Sequence, residues 1–376
     1  MTTVCSNTRC QSSCEQIIFI TFSMFASLHL ACCHHILEIV AEKVFTFCNI
    51  QSSSPDILIF KRFQQQWKFI NTKQFEVSQD DIKIKEDIKV FCHQQLCKQQ
   101  PRDDYRELLE LTIIYLGGTP PTGIRFMKPG AINRARWMAR VIYAIKIVLF
   151  KSQFHMTQRE ATGMKRFANF AVSLYVRAWI IAPVAASAPA SDLELIKQLI
   201  SYDDKGIADA ALLAFSSHLW YLSDTLVSLS FFDTSLSYSV KKEMVKALET
   251  EGAKKPSRRL ELDTFDESFA VKPVASFVTK PSYRFFKILK LQKDFLLLDP
   301  QKWQNQPDYK SALEYVNSIK VVNDCAESGI ALVQNFNSVL SKNEDQQQYI
   351  LQLVEKHRQK FPSATKRTIA AAENIN

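Results

Sequence analysis

A mainly helical fold is predicted by three features of this sequence. Its 376 residues include only 8 glycines, few for a chain rich in tight turns or in loops that approach a phosphate. Apolar residues recur at helical spacing through the middle of the chain, and proline or glycine closes these stretches. Hydrophobic content of 47% against 23% charged residues describes an ordinary globular protein rather than a disordered one. A chain of this length can bury a large core and suits two or three domains.

The first element is uncharged from Gln16 to Cys33, near the lower limit of a membrane span. Thr21, Ser23, Ser27 and His29 dilute it, and no Ala-x-Ala site follows a basic start. A buried strand–helix element is expected there, without a membrane partner. Asp80–Gln100 alternates acids and lysines around Ile82, Ile84, Ile88, Val90 and Phe91, an amphipathic helix that Pro101 ends. Arg102–Leu116 makes a second helix, closed by Gly117-Gly118-Thr119-Pro120-Pro121. Arg134–Phe150 makes a third and Thr157–Ile181 a fourth. Ala182–Ser191, broken by Pro183 and Pro189, is expected to be a loop. Asp192 then sits at the start of a helix running to Ile200, where an acid is favourable. Ala208–Phe232 is expected to be helical, with His218 packed on its apolar side rather than catalytic. Glu251–Asp263, with Gly252, Pro256 and four cations (Lys254, Lys255, Arg258, Arg259), marks an exposed connector. Those cations suit nuclear import, although a solvated loop is the commoner outcome. Glu344–Phe361 is a polar, glutamine-rich helix ahead of a basic end.

A net charge of +9 makes an anionic partner plausible, nucleic acid first. Arg134, Arg136 and Arg140 supply the candidate surface. Arg136 and Arg140 share a helix face, and an arginine face beside Trp137 suits a phosphate backbone. The same spacing also describes a plain solvated face. Nine cysteines, odd in number and irregular in spacing, do not form a disulfide framework and fit a reducing compartment. No P-loop, dinucleotide glycine pattern, His-Glu-x-x-His or Gly-x-Ser-x-Gly is present.

Around Leu28–Val40 four soft side chains stand in a row: Cys32, Cys33, His34 and His35. Zinc needs four converging ligands, and the other close pair is Cys92 and Cys97 beside His93. Adjacent Cys32 and Cys33 would alternate faces on a strand, so zinc is the weaker reading. The pattern Cys32-x-x-His35-x-Leu37-x-Ile39 resembles the Cys-x-x-His-x-Leu-x-Leu block of hAT-type DDE transposases. There it closes a strand of the RNase H-like core and opens the next helix. The likeness extends through Ser54-Pro55-Asp56, Phe60–Trp67, His218–Ser223, the Leu298-Asp299-Pro300…Trp303 block and Asn323-Asp324-Cys325-Ala326-Glu327. It is similar to a mobile-element-derived animal family related to those enzymes. Residues 9–27 agree poorly, and Ser328 stands where the enzymes have arginine.

The resemblance implies a large helical insertion domain with an incomplete RNase H-like α/β core remnant. Residues 1–75 would be the core remnant with Cys32 and His35 as its structural motif, 76–250 the insertion and 251–263 a linker. Helices in 264–376 would return to the core and carry Glu327, the candidate third catalytic carboxylate. Intact enzymes of this kind use Mg²⁺ pairs, which need several converging carboxylates. Two of the three are not found in this sequence, the first lying upstream in relatives, so the expectation is an inactive fragment without a cofactor. Residual DNA binding in a nucleus, or self-association, is expected to remain. The alternatives are a helical protein-interaction module without a nucleic-acid role and a cytoplasmic location.

Overall fold

The computed structural model describes residues 17–23, 26–48, 57–78, 85–130, 137–252, 257–262, 265 and 267–322. The described chain belongs to one compact unit that ends at Asn323, and 324–376 lie outside the described residues. Among the described residues the fold is mainly helical, as expected. The exception is an antiparallel hairpin of β1 (Ile17–Ser23) and β2 (Ala26–Ala31), pairing Ile17 with Ala31 and Ile20 with Leu28. No helix among the described residues is long and apolar enough to cross a membrane.

Helix α1 (Cys33–Phe47) follows β2 directly. It buries Cys33, Ile36, Leu37, Val40, Ala41, Val44 and Phe45, a stripe at three- and four-residue steps that faces the core. Next come α2 (Leu58–Gln66), ending in the 3₁₀ turn Trp67–Phe69, and α3 (Lys85–Leu96). Then follow α4 (Asp103–Tyr115) and α5 (Trp137–Leu149). Asp103 and Asp104 place negative charge on the first turn of α4, where it is favoured.

Thr157 and Glu160 cap α6 (Gln158–Phe170) reciprocally: the Glu160 N–H donates to Thr157 Oγ1 at 3.2 Å, and the Thr157 N–H to Glu160 Oε2 at 2.9 Å. A single π turn, Ala171–Tyr175, joins α6 to α7 (Val176–Ile181), so Thr157–Ile181 is one continuous helical stretch.

Two expectations change here. The stretch 182–191 is not all loop, since α8 (Ala188–Ile200) begins with Pro189 in its first turn. Proline is tolerated there because the first amides have no intrahelical acceptor to lose. Helix α9 (Lys205–Ser216) stops short of the motif 218–223, which lies in buried turns before the 3₁₀ segment Leu226–Phe232.

Asp204 caps α9 through the Ile207 N–H and grips Arg166 of α6 with both oxygens, at 2.7 and 2.9 Å. The Arg166 hydrogen bonds hold its carboxyl below the usual range. The remaining helices are α10 (Tyr238–Ala247), α11 (Glu267–Val271), α12 (Tyr283–Leu289) and α13 (Pro307–Ser318). Lys290 ends α12 in the left-handed region at φ 54°. Phe232, Phe295, Trp303 and Tyr309 pack into an aromatic cluster between these last elements, Phe295 and Tyr309 centred 5.1 Å apart.

The described part of 251–263 is tied to this body. Arg259 Nη1 donates to the Ser217 carbonyl at 2.6 Å, and the Leu260 N–H to the Leu219 carbonyl at 3.0 Å.

Candidate functional site

The strand-to-helix change falls on the Cys-x-x-His block. Strand β2 ends at Ala31, Cys32 is extended at φ −72° and ψ 110°, and the helix begins at Cys33. The Cys32 side chain makes no capping bond to the first turn. Instead the Cys33 N–H donates to the backbone carbonyl of Val321 at 2.9 Å. A helix start carries amides without intrahelical acceptors, and here the far end of the described chain supplies one.

A second long-range bond meets the same corner. The Tyr221 hydroxyl donates to the Ala31 carbonyl, the last residue of β2. Beside it, the rings of Trp220 and His29 lie 4.6 Å apart. The His218–Ser223 motif therefore packs on the strand that leads into Cys32.

Asp192 of α8 completes the corner. Its Oδ2 is shut off from solvent and has no hydrogen-bond partner among the described residues. Burial raises its pKa well above the ordinary carboxylate value. Burial also pushes the Cys33 thiol up, Asp192 adds to that, and a hydrogen bond with Tyr221 opposes it. A thiol held protonated is a weak nucleophile.

The two histidines of the block divide between core and surface. His34 is buried, its ring stacked on Trp179 at 3.8 Å and 11°. Its Nε2 lies 3.0 Å from the Trp179 carbonyl, which requires the proton on Nε2. His35 is partly exposed, with Nδ1 3.8 Å from Glu38 Oε2 on the next turn. Cys32 is buried and His35 is not, so the motif's two named side chains do not converge inward.

Of the arginines proposed for nucleic acid, Arg134 and Arg136 lie outside the described residues. Arg140 is half-buried on α5. Burial lowers its pKa, an effect that the carboxylates of Glu42 and Glu38 on α1 oppose. Glu327 lies outside the described residues as well. Among the described residues no three His, Cys, Asp or Glu side chains are grouped as a metal site requires. Cys92 is buried while Cys97 is exposed, which separates the pair considered for zinc.

An open cavity of about 600 Å³ lies elsewhere, between α7, α8 and the segment from Asp233 to Val240. Arg177, Lys197, Glu194 and Asp233 are among its lining residues, two of each charge. The sequence marks His34 and Tyr221 within its motifs but not their partners, and it carries no signal for Trp179 or Asp192 at the strand end, because these contacts are remote in the chain. Comparison with protein-family models, with curated proteins and with solved structures finds no match.

Proposed function

We propose that this chain is a transposase-derived helical protein that binds nucleic acid without cutting it. One observation supports the reading: two blocks of the hAT resemblance meet at one corner, which the last described residues also reach. The Cys32 block and the His218–Ser223 motif come together through the Tyr221–Ala31 bond, and Val321 reaches the same corner through its bond from the Cys33 N–H. A transposase core closed by its last segment around a helical insertion requires such a return. Under this reading residues 1–75 are the core remnant, 76–250 the helical insertion, 251–263 a linker and 264–376 the segment that returns to the core. Glu327 alone cannot hold a metal pair, so the proposed role is binding and not strand transfer.

The net charge of +9 favours an anionic partner and a nuclear location. The test is fluorescence anisotropy of the full chain with labelled duplex DNA across a salt series. Binding is expected at low salt, with log affinity falling linearly against log salt as counterions are released. Absence of binding at low salt would remove the reading.

The half-burial of Arg140 on α5 favours a second reading, a helical protein-interaction module with no nucleic-acid role. A helical self-association module would need no phosphate contact. Light scattering decides it: a dimer or larger species supports self-association, and a monomer at high concentration counts against it.

A further inference from the structure

The 3₁₀ turn after α2 carries an exposure that core packing does not explain. Trp67 packs edge-on against Phe63 and Phe150, at 5.7 and 5.5 Å between ring centres. Phe69, at the other end of the same turn, is 75% exposed. Lys68 Nζ lies 4.9 Å from the centre of the Phe69 ring. Next to this ring, Arg62, Gln65, Gln66 and His155 line an open depression of about 400 Å³. The Arg62 guanidinium is held in place by Glu160 at 2.9 Å and the His155 carbonyl at 3.0 Å, with Phe154 beneath it at 5.4 Å.

We infer that this ledge binds single-stranded nucleic acid, an unpaired base stacking on Phe69 while Lys68 meets a neighbouring phosphate. An exposed ring offers a face that every base can use, and cations beside it track the backbone. Gln65 and Gln66 present both donors and acceptors, which suits base edges of either polarity. Glu160 is the acid of this patch, and it is already engaged by Arg62 and by the Thr157 cap. Lys61 and Arg159, the sequence neighbours of Arg62 and Glu160, are exposed. A lipid surface would ask for a wider apolar area than one ring, and an acidic protein would not need the ring.

The inference rests on the nucleic-acid reading above but names a different surface from Arg134–Arg140. It is tested by anisotropy with the full chain, using a labelled thymidine oligonucleotide and a duplex of the same length. Phe69→Ala is expected to weaken single-strand binding about ten-fold while leaving the duplex affinity unchanged. Phe69→Trp should keep single-strand binding, and Lys68→Glu should weaken it further. Phe69 is exposed, so these variants will fold. Unchanged single-strand affinity in Phe69→Ala, or an equal loss on both probes, overturns this inference alone. Binding to neither probe by the unaltered chain overturns it together with the nucleic-acid reading.

Discussion

Replacing Lys146 with alanine is expected to cost about 3–5 kcal/mol of folding stability at neutral pH, because it strands a buried carboxylate. Lys146 is fully buried on α5. Its ammonium pairs with Glu107 of α4, donates to the Met127 carbonyl at 2.7 Å and lies 5.5 Å from the Trp67 ring centre. Burial raises the Glu107 pKa, and Lys146 opposes the rise. Without the lysine that opposition is lost and the folded-state pKa climbs further above its unfolded value. A carboxyl with a raised folded pKa binds its proton more readily when folded, so stability falls as pH rises through the interval between the two values. Urea denaturation of Lys146→Ala should therefore show a smaller deficit at acid pH than at neutral pH. Lys146→Met combined with Glu107→Leu should recover much of the loss, since a packed apolar pair replaces a desolvated ionic one. A deficit of under about 1 kcal/mol, the range of exposed pairs, would show that the pair is hydrated.

The second large effect is expected at Trp179. It is fully buried, stacks on His34 and lies 5.4 Å from Tyr175 at 24°. Truncation to alanine removes a large aromatic side chain from a packed core and should cost about 3–5 kcal/mol, read from thermal or urea unfolding. Trp179→Phe should cost much less. It keeps an aromatic surface against His34, and it deletes an indole N–H that has no hydrogen-bond partner among the described residues. Equal losses for the two variants would mean that the stack contributes nothing beyond the exact volume of the indole.

Local signals carried most of the helical architecture. Pro101 and Gly117-Gly118 bracket α4, and the apolar period places α5 and the Thr157–Ile181 stretch. The strand-to-helix change at Cys32 was also legible, as the buried strand–helix element expected from the uncharged run before it. The failures have physical causes. Prolines suggest a loop over 182–191, yet a proline in the first turn of a helix loses nothing, and α8 begins there. Leu219, Trp220, Tyr221 and Leu222 look like helix interior because periodicity cannot separate a buried turn from a buried helix.

The candidate site was legible only in its first component. Which of His34 and His35 turns inward depends on where Trp179 lies, 145 residues along the chain from His34. Tyr221 stands 190 residues from the carbonyl it binds. Asp192 reads as a favourable acid near a helix start, whereas α8 begins earlier and directs it into the corner beside Cys33. Pairings at such separation have no local pattern.

Electron paramagnetic resonance tests most directly whether the strand end and the close of the helical body belong to one core. Spin labels can be installed as noncanonical amino acids at His35 and Lys320, since the nine native cysteines preclude thiol labelling. With the Cys33 amide bonded to the Val321 carbonyl at 2.9 Å, strong dipolar coupling and a narrow distribution of short distances are expected. Weak or absent coupling, with the labels far apart, would contradict the shared corner and with it the transposase-derived reading.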